Sequence, residues 1–246
     1  MENKYIFLII LVFCFILAYF KKDNIEYKYG IVLCCYNRYD YLKQTLDSLS
    51  QSNLNDCILC IIDDSSKDKN VIDLINNFNL NNVRIHKIRN EKNLGISLSL
   101  LKGFNYIYPK CKYMVNIDSD VIMKNNWLQI LDKTNNDFIN HNIQSNGVIV
   151  TGFNCVQSCS HKILKEYDTF YIKKSFGGIN LFFDRKLFTI FKDILQNKGN
   201  GWDWGLVNYS NKNNIKMIST KPSVIQHIGI DGMNSQNKRY DYAEDF

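Results

Sequence analysis

Beyond residue 24 the chain alternates short, β-branched apolar runs with stretches whose apolar positions recur every three or four residues. Gly30–Tyr36, Cys57–Ile62, Val83–Ile88 and Tyr113–Ile117 read as strands. Tyr39–Leu49, with Leu42, Leu46 and Leu49 on one face, Asn70–Phe78 and Ser97–Ile107 read as helices, the last turning Leu98, Leu101 and Ile107 toward a sheet. This alternation predicts right-handed β-α-β units, and so an α/β fold with a mainly parallel sheet flanked by helices. Ligands of such sheets lie beyond the carboxyl ends of the strands. Three of those ends are polar here: Asn37-Arg38, Asp63-Asp64-Ser65-Ser66 and Asp118-Ser119-Asp120.

Ahead of the alternating region every residue from Tyr5 to Phe20 is apolar or aromatic, bounded by Lys4 and by Lys21-Lys22-Asp23. That pattern predicts a short N-terminal transmembrane helix. Only Ala18 offers a small residue for signal cleavage, beside bulky Tyr19 and Phe20, so an uncleaved anchor is expected, making this a single-pass membrane protein. Lys21, Lys22 and Lys28 outnumber Lys4, a bias toward a cytoplasmic C-terminal domain.

The 246 residues, 46% of them hydrophobic, suffice for one sizeable core behind that anchor. The boundaries expected are an anchor and stem over 1–28, one domain over 29–232 and a polar loop and tail over 233–246. The formal charge of +6 comes from lysines scattered among acids, which excludes a nucleic-acid partner. The many asparagines read as compositional bias and are discounted as signals.

Of eight cysteines, Cys14 lies in the apolar run, and Cys34, Cys35, Cys57 and Cys60 lie in predicted strands, as small hydrophobes. Cys57 and Cys60 are three apart on a strand, which puts their sulfurs on opposite faces and argues against a zinc or redox pair. Cys155, Cys159 and His161 form a looser cluster, open to a disulfide or a metal.

The acidic triplet carries the sharpest chemistry. On extended backbone, residues two apart share a face, so Asp118 and Asp120 can converge on one hard cation and hold it against a diphosphate. Each polar strand end also has a plain reading: a solvated turn, a turn with a helix cap, or a strand-to-helix loop. Together they make an acidic crevice, which accepts a diphosphate once a divalent cation neutralises it.

Gly30-Ile-Val-Leu-Cys-Cys-Tyr-Asn-Arg38, Ile61-Ile-Asp-Asp-Ser-Ser66, Asn93-Leu-Gly95 opening a helix, and Val115-Asn-Ile-Asp-Ser-Asp120 resemble, in order and spacing, the nucleotide-sugar domain of GT-A glycosyltransferases of the family-2-like group. The resemblance runs from about Tyr29 to Gly232. It implies the Rossmann-like GT-A fold, a nucleoside-diphosphate sugar as co-substrate, UDP-sugar favoured, and Mn2+ or Mg2+. It places Asn37, Arg38, Asp63, Asp64, Asn93 and Gly95 around the donor, with Asp64 or Asp63 near base and ribose. Asp118 and Asp120 fall at ribose and metal. Where many relatives carry Asp-Gly-Ser, this chain has Asp64-Ser65-Ser66. Such enzymes often face the lumen, which leaves the side of the membrane undecided.

In the second half, Ser175-Phe-Gly-Gly-Ile-Asn-Leu-Phe-Phe183 resembles the glycine-rich segment beneath the donor sugar, where Gly177 and Gly178 allow close approach. Read locally, it is equally a bulge between strands. Asp203, in Asn200-Gly-Trp-Asp-Trp-Gly205, is locally a helix cap. The segment also resembles the element supplying the general base, and the flanking Trp202 and Trp204 suit sugar faces. His227, in Gln226-His-Ile-Gly229, reads as a core histidine by itself and as a third metal ligand by resemblance. Residues 229–237 are expected as a loop over the donor and 241–246 as a solvated tail.

The function expected is a membrane-anchored, metal-dependent, inverting glycosyltransferase acting on a glycan, glycoprotein or lipid-linked acceptor. The alternatives are an inactive nucleotide-sugar-binding membrane protein and a sugar transferase acting on a lipid phosphate.

Overall fold

The computed structural model describes residues 25–155, 161–198, 201–230 and 241–246. The apolar run 5–20, and with it the expected anchor, lies outside them. Among the described residues no helix is long and apolar enough to cross a membrane.

The first half follows the predicted alternation: β1 (Tyr27–Cys35), α1 (Tyr39–Ser50), β2 (Cys57–Asp63), α2 (Lys69–Asn77), β3 (Arg84–Arg89), α3 (Ile96–Ile107) and β4 (Cys111–Asp118). β5 (Val121–Met123), α4 (Trp127–Asn140), β6 (Gly147–Thr151), β7 (Ile163–Glu166), β8 (Phe170–Lys173) and β9 (Asn180–Asp184) follow. α5 (Arg185–Lys198), α6 (Trp202–Lys212), β10 (Ile215–Thr220) and β11 (Ile225–His227) complete the chain. Nine strands form one sheet in the order β3-β2-β1-β4-β9-β6-β10-β8-β7. β8 and β9 alone run against the rest, so the sheet is mostly parallel in direction. The chain winds outward from β1 to β3, then returns to β1's other side with β4. The strand order thus reverses between β1 and β4, and sheets of this kind take their ligands in the crevice beyond the strand ends at that point.

Period-two alternation divides each central strand between two cores. Ile31, Leu33 and Cys35 join Leu42, Leu46, Trp127 and Leu131 on one face. Val32 and Cys34 join Leu100, Phe104, Phe188, Phe191 and Leu206 on the other. Cys57 falls in the first core and Cys60 in the second, so their sulfurs are separated by the sheet. Burial pushes both thiols up, helped by Asp56 at Cys57 and opposed by Lys110 at Cys60, beyond the range of a reactive thiolate.

Two expectations change. Leu98 is exposed, because α3 starts at its Gly95 cap with Ser97, Leu100, Phe104 and Ile107 as the buried stripe. The last residues are not simply a solvated tail: Ala243 is buried, donating to Gln226 Oε1 at 2.8 Å and accepting from Gln226 Nε2 at 3.0 Å. That clasp holds the C-terminal segment against β11. Of the expected donor loop, residues 231–237 lie outside the described residues.

Candidate active site

The loop from β1 into α1 places Asn37 and Arg38 in the left-handed region, with φ of 53° and 61°. Two such residues in succession are uncommon without glycine and require external support. Asn37 has it: Oδ1 accepts from the amides of Lys67 (2.8 Å) and Asp68 (3.1 Å), and its own amide donates to Ser66 Oγ at 2.8 Å. Asn37 is thus a clamp between two strand-end loops. Arg38 lies over the Tyr41 ring, 4.4 Å from its centroid, and donates through Nη1 to Asp120 Oδ2 at 2.7 Å. Its Nη2 is out of solvent with no hydrogen-bond partner.

Asp63 and Asp64 are both buried. Asp63 accepts from Ser66 N at 2.8 Å and is paired with Arg89, which also donates to Ser66 O at 2.7 Å. Asp64 accepts from Asn90 Nδ2 (2.8 Å), Leu94 N (2.8 Å) and Gly95 N (2.9 Å). The two carboxylates shape the rim of the crevice by holding its loops. Ser65, where resembling sequences carry glycine, has φ 67°. Asn93 Oδ1 accepts from Gly95 N at 3.1 Å. Gly95 caps α3 at φ 81°, ψ 163°, a conformation reserved to glycine. Asn90 extends this network to Ser99 Oγ (3.0 Å) and Lys102 Nζ (2.8 Å). Asn90 carries no signal in a sequence so rich in asparagine; only the fold brings its amide to Asp64.

The acidic triplet is built by α1 and by a two-stranded sheet. Thr45 Oγ1 accepts from Val121 N at 3.0 Å and Ser48 Oγ from Met123 N at 2.7 Å, fixing the turn. β5 pairs antiparallel with β11, Val121 opposite His227, and Ile228 N donates to Asp120 O at 2.9 Å. His227 Nε2 therefore stands 3.4 Å from Asp120 Oδ2. Gly229 presses on the same carboxylate, since a Cβ there would lie 2.2 Å from Asp120 Oδ2 and 2.9 Å from Arg38 Nη2. Burial pushes Asp120 up, but His227 and Arg38 outweigh it and hold the acid below its ordinary range. Asp118 goes the other way: burial first, then Asp120 and Asp203, push it well up against the opposition of Arg38. Asp118 Oδ1 is out of solvent without a partner.

Buried Asn116 and Asn180 pin the glycine segment. Asn116 Nδ2 donates to Gly178 O at 2.7 Å, and Asn180 Nδ2 donates to Asn116 O at 2.9 Å. A Cβ on Gly178 would meet Trp202 Cζ2 at 2.7 Å and Asp203 Cβ at 3.3 Å, so this backbone runs directly under the first turn of α6. Gly177 is more open, with His161 Nε2 the nearest group at 3.9 Å. Burial raises the Asp203 carboxyl, opposed by the amides of Trp204, Asp203 itself and Gly178. The two indoles divide: Trp202 is core, with Leu206 and Val207 on its helix face, and Trp204 is 45% exposed. The structure thus gathers Arg38, Asp118, Asp120, Asp203, Gly178, Gly229 and His227, and assigns Asn37, Asp63, Asp64, Asn93 and Gly95 to the loops around them.

A divalent cation fits the donor chemistry present: a buried, unpartnered carboxylate oxygen on Asp118, and an acid and an imidazole in contact. Among the described residues no three His, Cys, Asp or Glu form a ready metal cluster. The expected set of Asp118, Asp120 and His227 is therefore not drawn together as a three-ligand site; the contact present is that of Asp120 with His227. Of the expected Cys155, Cys159 and His161 cluster, Cys159 lies outside the described residues, and His161 Nδ1 is 2.8 Å from Ser175 Oγ.

The sequence model described as glycosyl transferase family 2 matches residues 30–188. Among solved structures, the chain is similar to S. aureus TarS 1-349 in complex with UDP-GlcNAc, at 14% identity and a TM-score of 0.62, over 85% of this chain and 61% of that one. It is also similar to GalNAc-T7 with UDP, GalNAc and Mn2+, at 14% identity and a TM-score of 0.54, over 87% of this chain and 45% of that one. Likeness at these identities is one of fold, and the chain spans less than two thirds of either relative's length. No curated protein sequence matches it.

Proposed function

The chain belongs to glycosyl transferase family 2, and from that premise we propose that it transfers a sugar from a nucleoside-diphosphate sugar, with uridine as the favoured base, to an acceptor hydroxyl with inversion at the anomeric carbon. One observation carries the reading. Asp203, its carboxyl raised by burial, sits against Gly178 and within electrostatic reach of Asp118, so a base and a diphosphate-side acid face one crevice. The neighbours solved with UDP-GlcNAc and with UDP, GalNAc and Mn2+ support the donor class.

In this mechanism Asp203 takes the proton of the acceptor hydroxyl as its oxygen bonds to the anomeric carbon, while the bond from that carbon to the diphosphate oxygen breaks. A raised carboxyl pKa makes Asp203 a stronger base than an ordinary aspartate, and the Gly177-Gly178 backbone gives the donor sugar a floor without side chains. Asp120 with His227, or Asp118 from the same triplet, would hold Mn2+ or Mg2+ together with the donor's phosphates, and the ion when bound would offset the charge of the leaving diphosphate. Arg38 adds a fixed positive charge beside the same acids. The apolar segment 5–20 would tether this domain to a membrane as a single-pass anchor.

The test is thermal stability of the chain against nucleoside diphosphates and nucleotide sugars, with Mn2+, Mg2+ or chelator. A ligand at a hundred times its dissociation constant stabilises by about 2.7 kcal/mol. A shift that needs both nucleotide and metal, together with slow donor hydrolysis abolished by Asp203→Asn, is the expected result. No shift across the panel overturns the donor reading, and nucleotide binding without hydrolysis or transfer favours an inactive binding protein.

A further inference from the structure

The aromatic group beside the base has not been used by this mechanism. Trp204 follows Asp203 on the first turn of α6, and its amide donates to Asp203 Oδ1 at 2.8 Å. The indole is 45% exposed, whereas Trp127 and Trp202 are buried. The His161 ring lies nearly parallel to it, with centroids 6.0 Å apart and planes 19° apart. Buried Ser175 holds His161 through Nδ1 at 2.8 Å, which fixes the ring. Nε2 keeps no hydrogen bond among the described residues and stands toward Gly177, where a Cβ would be 3.9 Å away. Two oriented rings, one carrying a hydrogen-bonding nitrogen, thus border the base on one side and the proposed sugar floor on the other.

Flat aromatic faces with a polar handle bind ligands that have one apolar face and a hydroxylated edge. A pyranose is such a ligand; a peptide serine or a lipid phosphate offers no C–H face. We propose that Trp204 and His161 form an acceptor subsite for a pyranose ring, the indole taking its C–H face and His161 Nε2 one of its hydroxyls, which presents another hydroxyl to Asp203. The inference rests on the transferase reading and narrows its acceptor to a glycan.

The molecule supplies its own reporter, because Trp204 is the exposed member of its three tryptophans. Acrylamide quenching of the intact chain is measured with uridine diphosphate and Mn2+ present, while methyl β-glycosides of glucose, galactose and N-acetylglucosamine are added to roughly 50 mM, a range suited to weak single-ring binding. At least one glycoside is expected to shield Trp204, and His161→Phe, which keeps a ring but loses both nitrogens, is expected to raise the concentration needed by about fivefold. Uridine diphosphate affinity, read by thermal shift, should be unchanged in that variant. Quenching indifferent to all three glycosides overturns the subsite, and shielding unaltered in both His161→Phe and His161→Ala overturns the part given to His161. If the wild type binds no nucleoside diphosphate yet a glycoside still shields Trp204, it is the donor reading that fails.

Discussion

Nη1 of Arg38 donates to Oδ2 of Asp120 across 2.7 Å, joining the loop after β1 to the turn after β4 at the point where the strand order reverses. The contact is held from both sides, by left-handed backbone at Arg38 and by His227 at Asp120. Arg38 Nη2, buried and unpartnered, is a donor reserved beside the proposed diphosphate position.

Arg38→Ala is therefore expected to weaken nucleoside-diphosphate binding about tenfold or more, the scale for removing one partner of a hydrogen-bonded charge pair. Calorimetric titration of uridine diphosphate with Mn2+ checks it. Arg38→Lys should recover little, because a lysine cannot reproduce the forked guanidinium. Affinity unchanged in both variants would return Arg38 to a purely structural part.

Gly229 is the most sensitive small residue of the site. A methyl group there falls 2.2 Å from Asp120 Oδ2, so Gly229→Ala must displace the carboxylate, the arginine or the strand β11 itself. The expected outcome is loss of metal-dependent nucleotide binding with little loss of fold, since the clash falls on Asp120 and Arg38, which belong to neither hydrophobic core. Comparing the thermal midpoint without ligand and the shift with uridine diphosphate and Mn2+ separates the two effects. A full ligand shift in the variant would show that this carboxylate has room to move and still bind.

Much of this geometry was legible as strand ends. Period-two runs ending in Asn37-Arg38, Asp63-Asp64 and Asp118-Ser119-Asp120 put the polar groups on one edge of the sheet, because a parallel sheet leaves all its carboxyl ends together. Their division of labour was not legible. Asp63 and Asp64 turn inward because Arg89 and the amides of Leu94 and Gly95 reach them, contacts made across more than twenty residues. Nor could periodicity place His227, which meets Asp120 only because β5 and β11, each three residues long, pair across the fold. The sequence does not place Leu98, because every third or fourth position of α3 is apolar on two faces, and only the sheet chooses between them. Reading the asparagines as compositional bias hides Asn90, Asn116 and Asn180, whose amides are buried struts between the site's loops.

Asp203→Asn is expected to lower transfer about a thousandfold, within the range for loss of a general base, while donor affinity stays near wild type. The pH profile gives a second readout. A base acts only when ionised, so the rate rises as pH climbs through its pKa, and burial sets that pKa above the ordinary 3.8. The acidic limb of kcat/KM should therefore lie higher than for an ordinary carboxylate, persist in Asp203→Glu and vanish in Asp203→Asn. Steady-state kinetics from pH 4 to pH 8 decide it, and a limb that survives in Asp203→Asn assigns the titration to another group.

Lys173 supports the site from below. It is buried on β8 and donates to Asn154 Oδ1; Asn154 N donates to Ser223 Oγ at 3.1 Å, and Gly152 O receives Val224 N at 2.8 Å and Ile225 N at 3.0 Å, so the lysine props the loop from which β11 carries His227. Burial lowers its pKa from 10.5 to about 8, against the opposing influence of Cys155 and Asp245. Below pH 8 the folded and unfolded chains both hold the proton, and the cost of burying the charge is present in full. Between pH 8 and 10.5 the unfolded chain binds more protons than the folded one, so this lysine's contribution to stability rises with pH. Lys173→Met, which removes the charge but leaves Asn154 short of a donor, should shift the thermal midpoint relative to wild type by an amount that depends on pH. The expected result is that wild type gains on Lys173→Met by about 5 °C as pH goes from 7 to 10. Calorimetric scans of both proteins across that range measure the difference directly. A constant offset would mean that Lys173 stays protonated in the folded chain, and that the loop beneath His227 rests on a buried ammonium ion at every pH tested.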